Sequence, residues 1–179
     1  LILGSNSPLG QYLIKSLPNS RVAGFQRLPG HGDASYYPFN LSDTEQNFLS
    51  FEKFINDVVE KHICVTLIAY SKIHQAEEKP GEHEIAALEQ LLKLAATAGK
   101  TTSIFFCSSI SVYGMAEIDP LTERCKTNPQ TDYAKGKLNV ENFIKSCFER
   151  ESIHSSIIAR IPCLVGPNFR GNFLRPIID

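Results

Sequence analysis

The chain opens Leu1-Ile2-Leu3-Gly4-Ser5-Asn6-Ser7-Pro8-Leu9-Gly10, and this stretch decides the fold. A short apolar run of strand character leads into a glycine, a polar turn and a second glycine, after which residues 9–17 read as a helix. A glycine leaving a strand lets the backbone come close to a pyrophosphate. The helix behind it offers unpaired N–H groups and the positive end of a dipole. Pro8 suits a helix start, where its missing N–H would have had no partner, and Gly10 would let the helix pack tightly on a sheet. An ordinary strand-to-helix turn has the same outline, so the rest of the chain has to decide.

Further along, short apolar runs alternate with longer amphipathic ones. Strands are expected at 1–3, 22–25, 64–69, 104–108 and 157–161, with helices at 9–17, 45–61, 82–98 and 131–150. The second helix places Phe48, Phe51, Ile55, Val58 and Val59 on a helical period. The third places Ile85, Leu88, Leu91, Leu92 and Ala95 on one, with Gly99 as its stop. Such alternation predicts an α/β fold with a doubly wound parallel sheet and flanking helices.

Composition sets the outer limits. At 179 residues, 42% hydrophobic and 21% charged, the chain suits one globular domain with a sizeable core. A net charge of −1 argues against nucleic acid held by bulk electrostatics. No membrane partner is expected, because no apolar run approaches a span and no signal peptide opens the chain. Cys64, Cys107 and Cys163 sit in apolar runs and read as buried small hydrophobes, which suits a reducing cytoplasm. The histidines and cysteines lack ligand spacing, so no metal is expected. Leu1 at the head and 173–179 without a stop signal read as cut ends of a longer protein.

The helix at 131–150 carries Tyr133-Ala134-Lys135-Gly136-Lys137. Residues four apart share a helix face, so Tyr133 and Lys137 can serve one site. A phenol beside an ammonium is a route to an acid/base from a group that ordinarily titrates near ~10. By itself the spacing equally describes a surface helix with solvated lysines.

Taken with the first turn, this pair resembles the extended short-chain dehydrogenase/reductase family of nucleotide-sugar epimerases, dehydratases and reductases. Further stretches carry the resemblance: 105–114 (Phe-Phe-Cys-Ser-Ser-Ile-Ser-Val-Tyr-Gly), Asn40-Leu41-Ser42-Asp43, Ile68-Ala69-Tyr70-Ser71, and 160–167 followed by Gly171-Asn172-Phe173. It implies a Rossmann-type domain over 1–165 with the catalytic residues, and a small substrate-binding subdomain that begins at 166–179 and is largely absent from this chain. It also implies cofactor contacts from Gly4, Asn6, Ser7, Pro8, Leu9 and Gly10, from Asn40 and Leu41 at the adenine, and from Ala69, Ser71 and Pro162. Ser109, four residues before Tyr113, takes the catalytic hydroxyl position. Tyr133 would move a proton, and Lys137 would hold the nicotinamide ribose and favour the tyrosinate. Ser109, Ser111 and Asn172 are the implied substrate contacts.

The departures are informative. Ser7 replaces the family's middle glycine, Asn40 its aspartate and Cys163 its sugar-site asparagine. Ile110 and Ser111 stand where sugar dehydratases carry Asp-Glu, which disfavours elimination of water and leaves epimerase or ketoreductase chemistry on a nucleotide sugar. After the second strand, Gln26 stands where an acid would bind the ribose hydroxyls, and Arg27 could clamp a 2′-phosphate. NADP is therefore the expected cofactor, with NAD as the alternative. A homodimer through 82–98 and 131–150 is compatible with their apolar residues, which packing on the sheet explains equally well. The competing reading is a non-catalytic NAD(P)-binding sensor or structural module, which typically lacks the Tyr-x-x-x-Lys pair.

Overall fold

In the computed structural model, residues 1–17, 23–26, 35–68, 79–115 and 121–162 are described. The strands are β1 (Ile2–Leu3), β2 (Ala23–Gln26), β3 (Ser35–Pro38), β4 (His62–Leu67), β5 (Thr101–Ser109) and β6 (Ser155–Ile161). The helices are α1 (Pro8–Ser16), α2 (Thr44–Asp57), α3 (Glu82–Thr97) and α4 (Asp132–Glu149), with a 3-10 turn at Ile110–Tyr113. The six strands form one sheet in the order β3-β2-β1-β4-β5-β6, and every neighbouring pair is parallel. α2, α3 and α4 pack in sequence on one another, and the right-handed rule for parallel crossovers places α1 on the opposite face of the sheet. The order reverses between β1 and β4. In such sheets that reversal opens a crevice at the carboxyl ends of the strands.

The helices start where the side chains can satisfy their first N–H groups. Ser7 accepts from the Gly10 N–H, Asp43 from Gln46 and Thr131 from Ala134. Phe25 of β2 is the centre of one half of the core. It stacks on Tyr37 at 4.9 Å between ring centroids and meets Phe51 and Phe54 of α2 at 5.3 and 5.5 Å. In the other half, Leu88 and Leu91 of α3 and Val140 and Ile144 of α4 cover Val65, Leu67, Ile104 and Phe106.

Several expectations are corrected. β3 was not foreseen, because Ser35-Tyr36-Tyr37-Pro38 is short, lacks an apolar run and ends in proline; only Tyr37 of the four is buried. α2 stops at Asp57, since the β-branched Val58 is extended (φ −87°, ψ 125°), and Val59 is exposed rather than on the core face. Phe48 is exposed too; Asn47 takes a buried place because its amide pairs with the Asn40 backbone. Cys64 is exposed, on the β4 face away from α3, while Cys107 and Cys147 are buried. Cys163 and residues 166–179, where a second subdomain is expected to begin, lie outside the described residues, as does Val22. Among the described residues, no helix is long and apolar enough to cross a membrane.

Gly10 is dictated by space. A Cβ there would lie 2.7 Å from the Gly4 carbonyl oxygen, 2.7 Å from Ser5 Cα and 2.8 Å from the Ser5 oxygen, all backbone atoms that cannot swing aside. Gly10→Ala is expected to cost about 1–3 kcal/mol of stability in urea denaturation. Wild-type stability in this variant would disprove the close approach of α1 to the turn.

Candidate active site

The site begins at the turn after β1. Gly4 takes φ 93°, a backbone conformation that a side chain disfavours. The N–H groups of Gly4 and Ser5 both donate to the Phe25 carbonyl, at 3.0 and 3.3 Å, which pins the turn to β2. Ser7, standing where the resemblance expects glycine, is the N-cap of α1, with its Oγ 3.1 Å from the Gly10 nitrogen. Pro8 has no N–H, Gly10 donates to Ser7 Oγ and Gln11 donates to the Ser7 carbonyl at 2.9 Å. The Leu9 N–H is therefore left without a partner among the described residues, open to an anion at the helix start.

The other half is the C-terminal end of β5 against one face of α4. Tyr133, Lys137 and Glu141 follow one another at helical turns, and each reaches one of three consecutive strand residues. The Lys137 ammonium donates to the Cys107 carbonyl at 2.9 Å. Ser108 Oγ donates to Glu141 Oε1 at 2.6 Å. The Tyr133 phenol is hydrogen-bonded to Ser109. Ser111 donates to Ser109 Oγ from both its N–H (3.2 Å) and its hydroxyl (2.9 Å), leaving the Ser109 proton to be given onward. Sequence alone separated Ser108, Ser109 and Ser111 only by alignment. In the structure the Ser108 hydroxyl is engaged by a buried carboxylate, Ser109 stands beside Tyr133, and Ser111 supports Ser109.

Burial pushes the Tyr133 phenol up. The Ser109 hydrogen bond pulls it down and Cys107 adds to the rise, with the net direction upward, so Tyr133 is a neutral phenol near pH 7. Burial pushes the Lys137 ammonium down, and Glu84 of α3 and Cys107 offset only part of that. Its nitrogen lies 4.9 Å from the Phe106 ring centroid and 5.8 Å from that of Tyr133. The phenol thus feels burial, Ser109 and Cys107, and the Lys137 ammonium beside its ring is anchored by the Cys107 carbonyl. Glu84 comes close because α3 starts at Gly81, where a Cβ would lie 2.6 Å from the Gly136 carbonyl oxygen.

Between these halves lies a cavity of about 220 Å³ at the strand ends. Ser7, Pro8 and Leu9 line it from the first turn, Ile68 from the end of β4, Cys107 to Ser109 from β5, Tyr133 and Lys137 from α4, and Ile161 and Pro162 from β6. Seven residues singled out from sequence therefore meet here: Ser7, Pro8, Leu9, Ser109, Tyr133, Lys137 and Pro162. Asn40 is exposed after β3, its backbone clamped by Asn47 at 2.9 and 3.1 Å, and the Leu41 side chain is in the core. Arg27, Ala69, Ser71 and Asn172 lie outside the described residues. Ile68, Arg160 and Ile161 entered the sequence reading only within stretches that carry the resemblance and Cys107 only as a buried apolar residue, while Glu84 and Glu141 had no role there. For Glu141 a signal existed: it lies one further helical turn along from Lys137.

Glu141 is fully buried, and Arg160 holds it through Nη2–Oε2 at 2.7 Å and Nε–Oε1 at 3.0 Å. Burial pushes its carboxyl up, but the Arg160 and Ser108 hydrogen bonds outweigh that and hold it below the usual carboxylate range. A carboxyl depressed in the folded state stabilises the fold above its unfolded pKa, and this contribution is lost as pH falls through the folded value. Denaturation midpoints should therefore fall as pH drops below about 4.3, the ordinary glutamate value, with Glu141→Gln flattening that dependence. An unchanged acid slope in the variant would show that this pair does not set it.

Comparisons with known proteins fit this geometry. A search of curated proteins gave no significant match. Among solved structures, UDP-N-acetylglucosamine 4-epimerase from Bacillus cereus superposes with a TM-score of 0.73 at 20% identity over 97% of the chain. A short-chain dehydrogenase/reductase superfamily protein from Agrobacterium tumefaciens with bound NAD gives 0.71 at 21% identity over 89% of the chain. A monomeric L-threonine 3-dehydrogenase of metagenomic origin, in its apo form, gives 0.70 at 20% identity over 94% of the chain. The chain spans 56%, 47% and 55% of the respective lengths of these three structures. The model of the NAD dependent epimerase/dehydratase family matches residues 1–178, nearly the whole sequence, and the chain belongs to that family.

Proposed function

We propose that the protein is an NAD(P)-dependent epimerase or ketoreductase acting on a nucleotide-activated sugar. The observation that carries this reading is the meeting of Tyr133, Ser109 and Lys137 with the Ser7–Leu9 turn at one cavity beside the switch point of the sheet. These residues fit a dinucleotide: the turn keeps Gly10 free of a side chain, and the Leu9 N–H is open to a phosphate. A nicotinamide dinucleotide bound there supplies the hydride acceptor and donor. Lys137, fixed to the Cys107 carbonyl, would hold the ribose at the inner end of the cavity. Tyr133, a neutral phenol, is ready to give its proton to a carbonyl oxygen, and the positive charge of an oxidised cofactor would ease the reverse transfer. Ser109, whose acceptor side is occupied by Ser111, would donate to the same substrate oxygen and orient it.

Ile110 and Ser111 in place of an acid pair argue for epimerisation or ketone reduction over dehydration. The choice of a nucleotide sugar follows the family and the UDP-sugar 4-epimerases among the similar structures. The NAD-bound neighbour and the family description support NAD, while Gln26-Arg27 argues for NADP. The homodimer gains no support from Leu88, Leu91, Val140 and Ile144, because all are in the core.

Full-length protein incubated with NAD(H) or NADP(H) and a panel of nucleotide sugars is expected to convert one of them. A reductase changes absorbance at 340 nm, whereas an epimerase yields product with no net change. Tyr133→Phe should lower kcat by about 10²–10⁴-fold while leaving cofactor affinity within a few-fold. Activity that survives this substitution overturns the assignment, and tight cofactor binding without turnover of any sugar would favour the non-catalytic module. For the cofactor, Arg27→Ala should weaken NADP binding by about tenfold and NAD binding little. Equal losses would sink the NADP preference.

A further inference from the structure

Glu141 and Arg160 lie behind the cavity, and neither lines it. Their contacts are nevertheless unusually well defined. Arg160 approaches the carboxylate through Nε, at 3.0 and 3.3 Å from its two oxygens, and through Nη2 at 2.7 Å. Its remaining nitrogen, Nη1, donates to the Tyr113 hydroxyl at 2.6 Å, and the guanidinium carbon lies 4.7 Å from the centre of the Tyr113 ring. The carboxylate also accepts from Ser108 and has Lys145 of its own helix at 3.8 Å. One buried charge thus joins β5, the 3-10 turn, α4 and β6. The residues it fixes are neighbours of the reactive ones: Ser108 precedes Ser109, and Glu141 is one helical turn beyond Lys137.

An apolar side chain of similar volume would fill this space with no desolvated charge, and a buried pair is by itself weak evidence for stability. What the charged arrangement adds is direction. A fork of guanidinium donors on a carboxylate tolerates little rotation, and the Ser108 bond ties that carboxylate to one register of the strand.

We propose that Glu141, locked by Arg160, is a positioning residue that sets α4 in register on β5 and thereby holds Tyr133 against Ser109. The clamp acts through Ser108 on one side and Tyr113 on the other, so the segment carrying Ser109 and Ser111 is gripped at both ends. This rests on the reading of Tyr133 as the proton-transfer group, and the test separates the two.

The test uses full-length protein labelled with 3-fluorotyrosine, in which the 19F resonance missing from Tyr133→Phe identifies Tyr133. In Glu141→Gln the amide can no longer receive the guanidinium on two oxygens. The Tyr133 ionisation midpoint is expected to move upward, as the Ser109 bond that holds it down is lost, and kcat to fall about tenfold with KM and cofactor Kd within threefold. An unmoved midpoint overturns the proposal even if kcat or stability falls, because a purely structural role would leave the phenol where it was. A shifted midpoint in a protein without turnover upholds the positioning role and removes the catalytic reading instead. Tyr113→Phe, which deletes only the hydroxyl accepting from Arg160, gives the same readout if Glu141→Gln does not fold; its midpoint should move in the same direction by less, and no movement overturns the proposal.

Discussion

The site depends on the seating of one helix face on one strand end. Tyr133, Lys137 and Glu141 project at successive turns of α4 and meet Ser109, Cys107 and Ser108 of β5 through hydrogen bonds. A slip of α4 by one turn would exchange all three partners at once and leave a buried ammonium and a buried carboxylate unpaired. Each such loss costs several kcal/mol, so the register is strongly specified. The rest of the sheet supplies the platform: β4 and β6 flank β5 on either side, and β1 brings the first turn to the same edge.

Burial gives the polar groups their character. Lys137 is held in a place that disfavours its charge, with Cys107 O as its hydrogen-bond acceptor and Glu84 as a compensating charge. Tyr133 sits nearer the opening, and its phenol is kept neutral. Glu141, deeper still, is kept ionised by Arg160 despite complete burial. Of three titratable groups on one helix face, Tyr133 is thus driven up and Lys137 and Glu141 down, each by what it touches.

Much of the architecture was legible in the chain because apolar periodicity and glycine placement act locally. The run Leu1 to Gly10 announces a strand, a tight turn and a helix by spacing alone, and the alternation downstream implies a parallel sheet. β3 escaped because a four-residue strand with Pro38 at its end has no periodicity to read; Tyr37 is held there by Phe25 and Phe54, which are remote in sequence. The end of α2 was overrun because Val58 and Val59 continue an apolar pattern that the backbone does not follow.

The sequence by itself determined the strand–turn–helix unit, the α/β alternation and the candidates Ser109, Tyr133 and Lys137, since these rest on spacing within short segments or on a recognisable family pattern. Tertiary structure alone decided the strand order, which Ser hydroxyl stands beside Tyr133, and the direction in which each buried group titrates. It also decided that Ser7 caps a helix and that Glu141 and Arg160 form a pair. Hydrogen-bond partners and desolvation depend on groups that are distant in the chain and adjacent only after folding, and for that reason spacing along the sequence does not encode them.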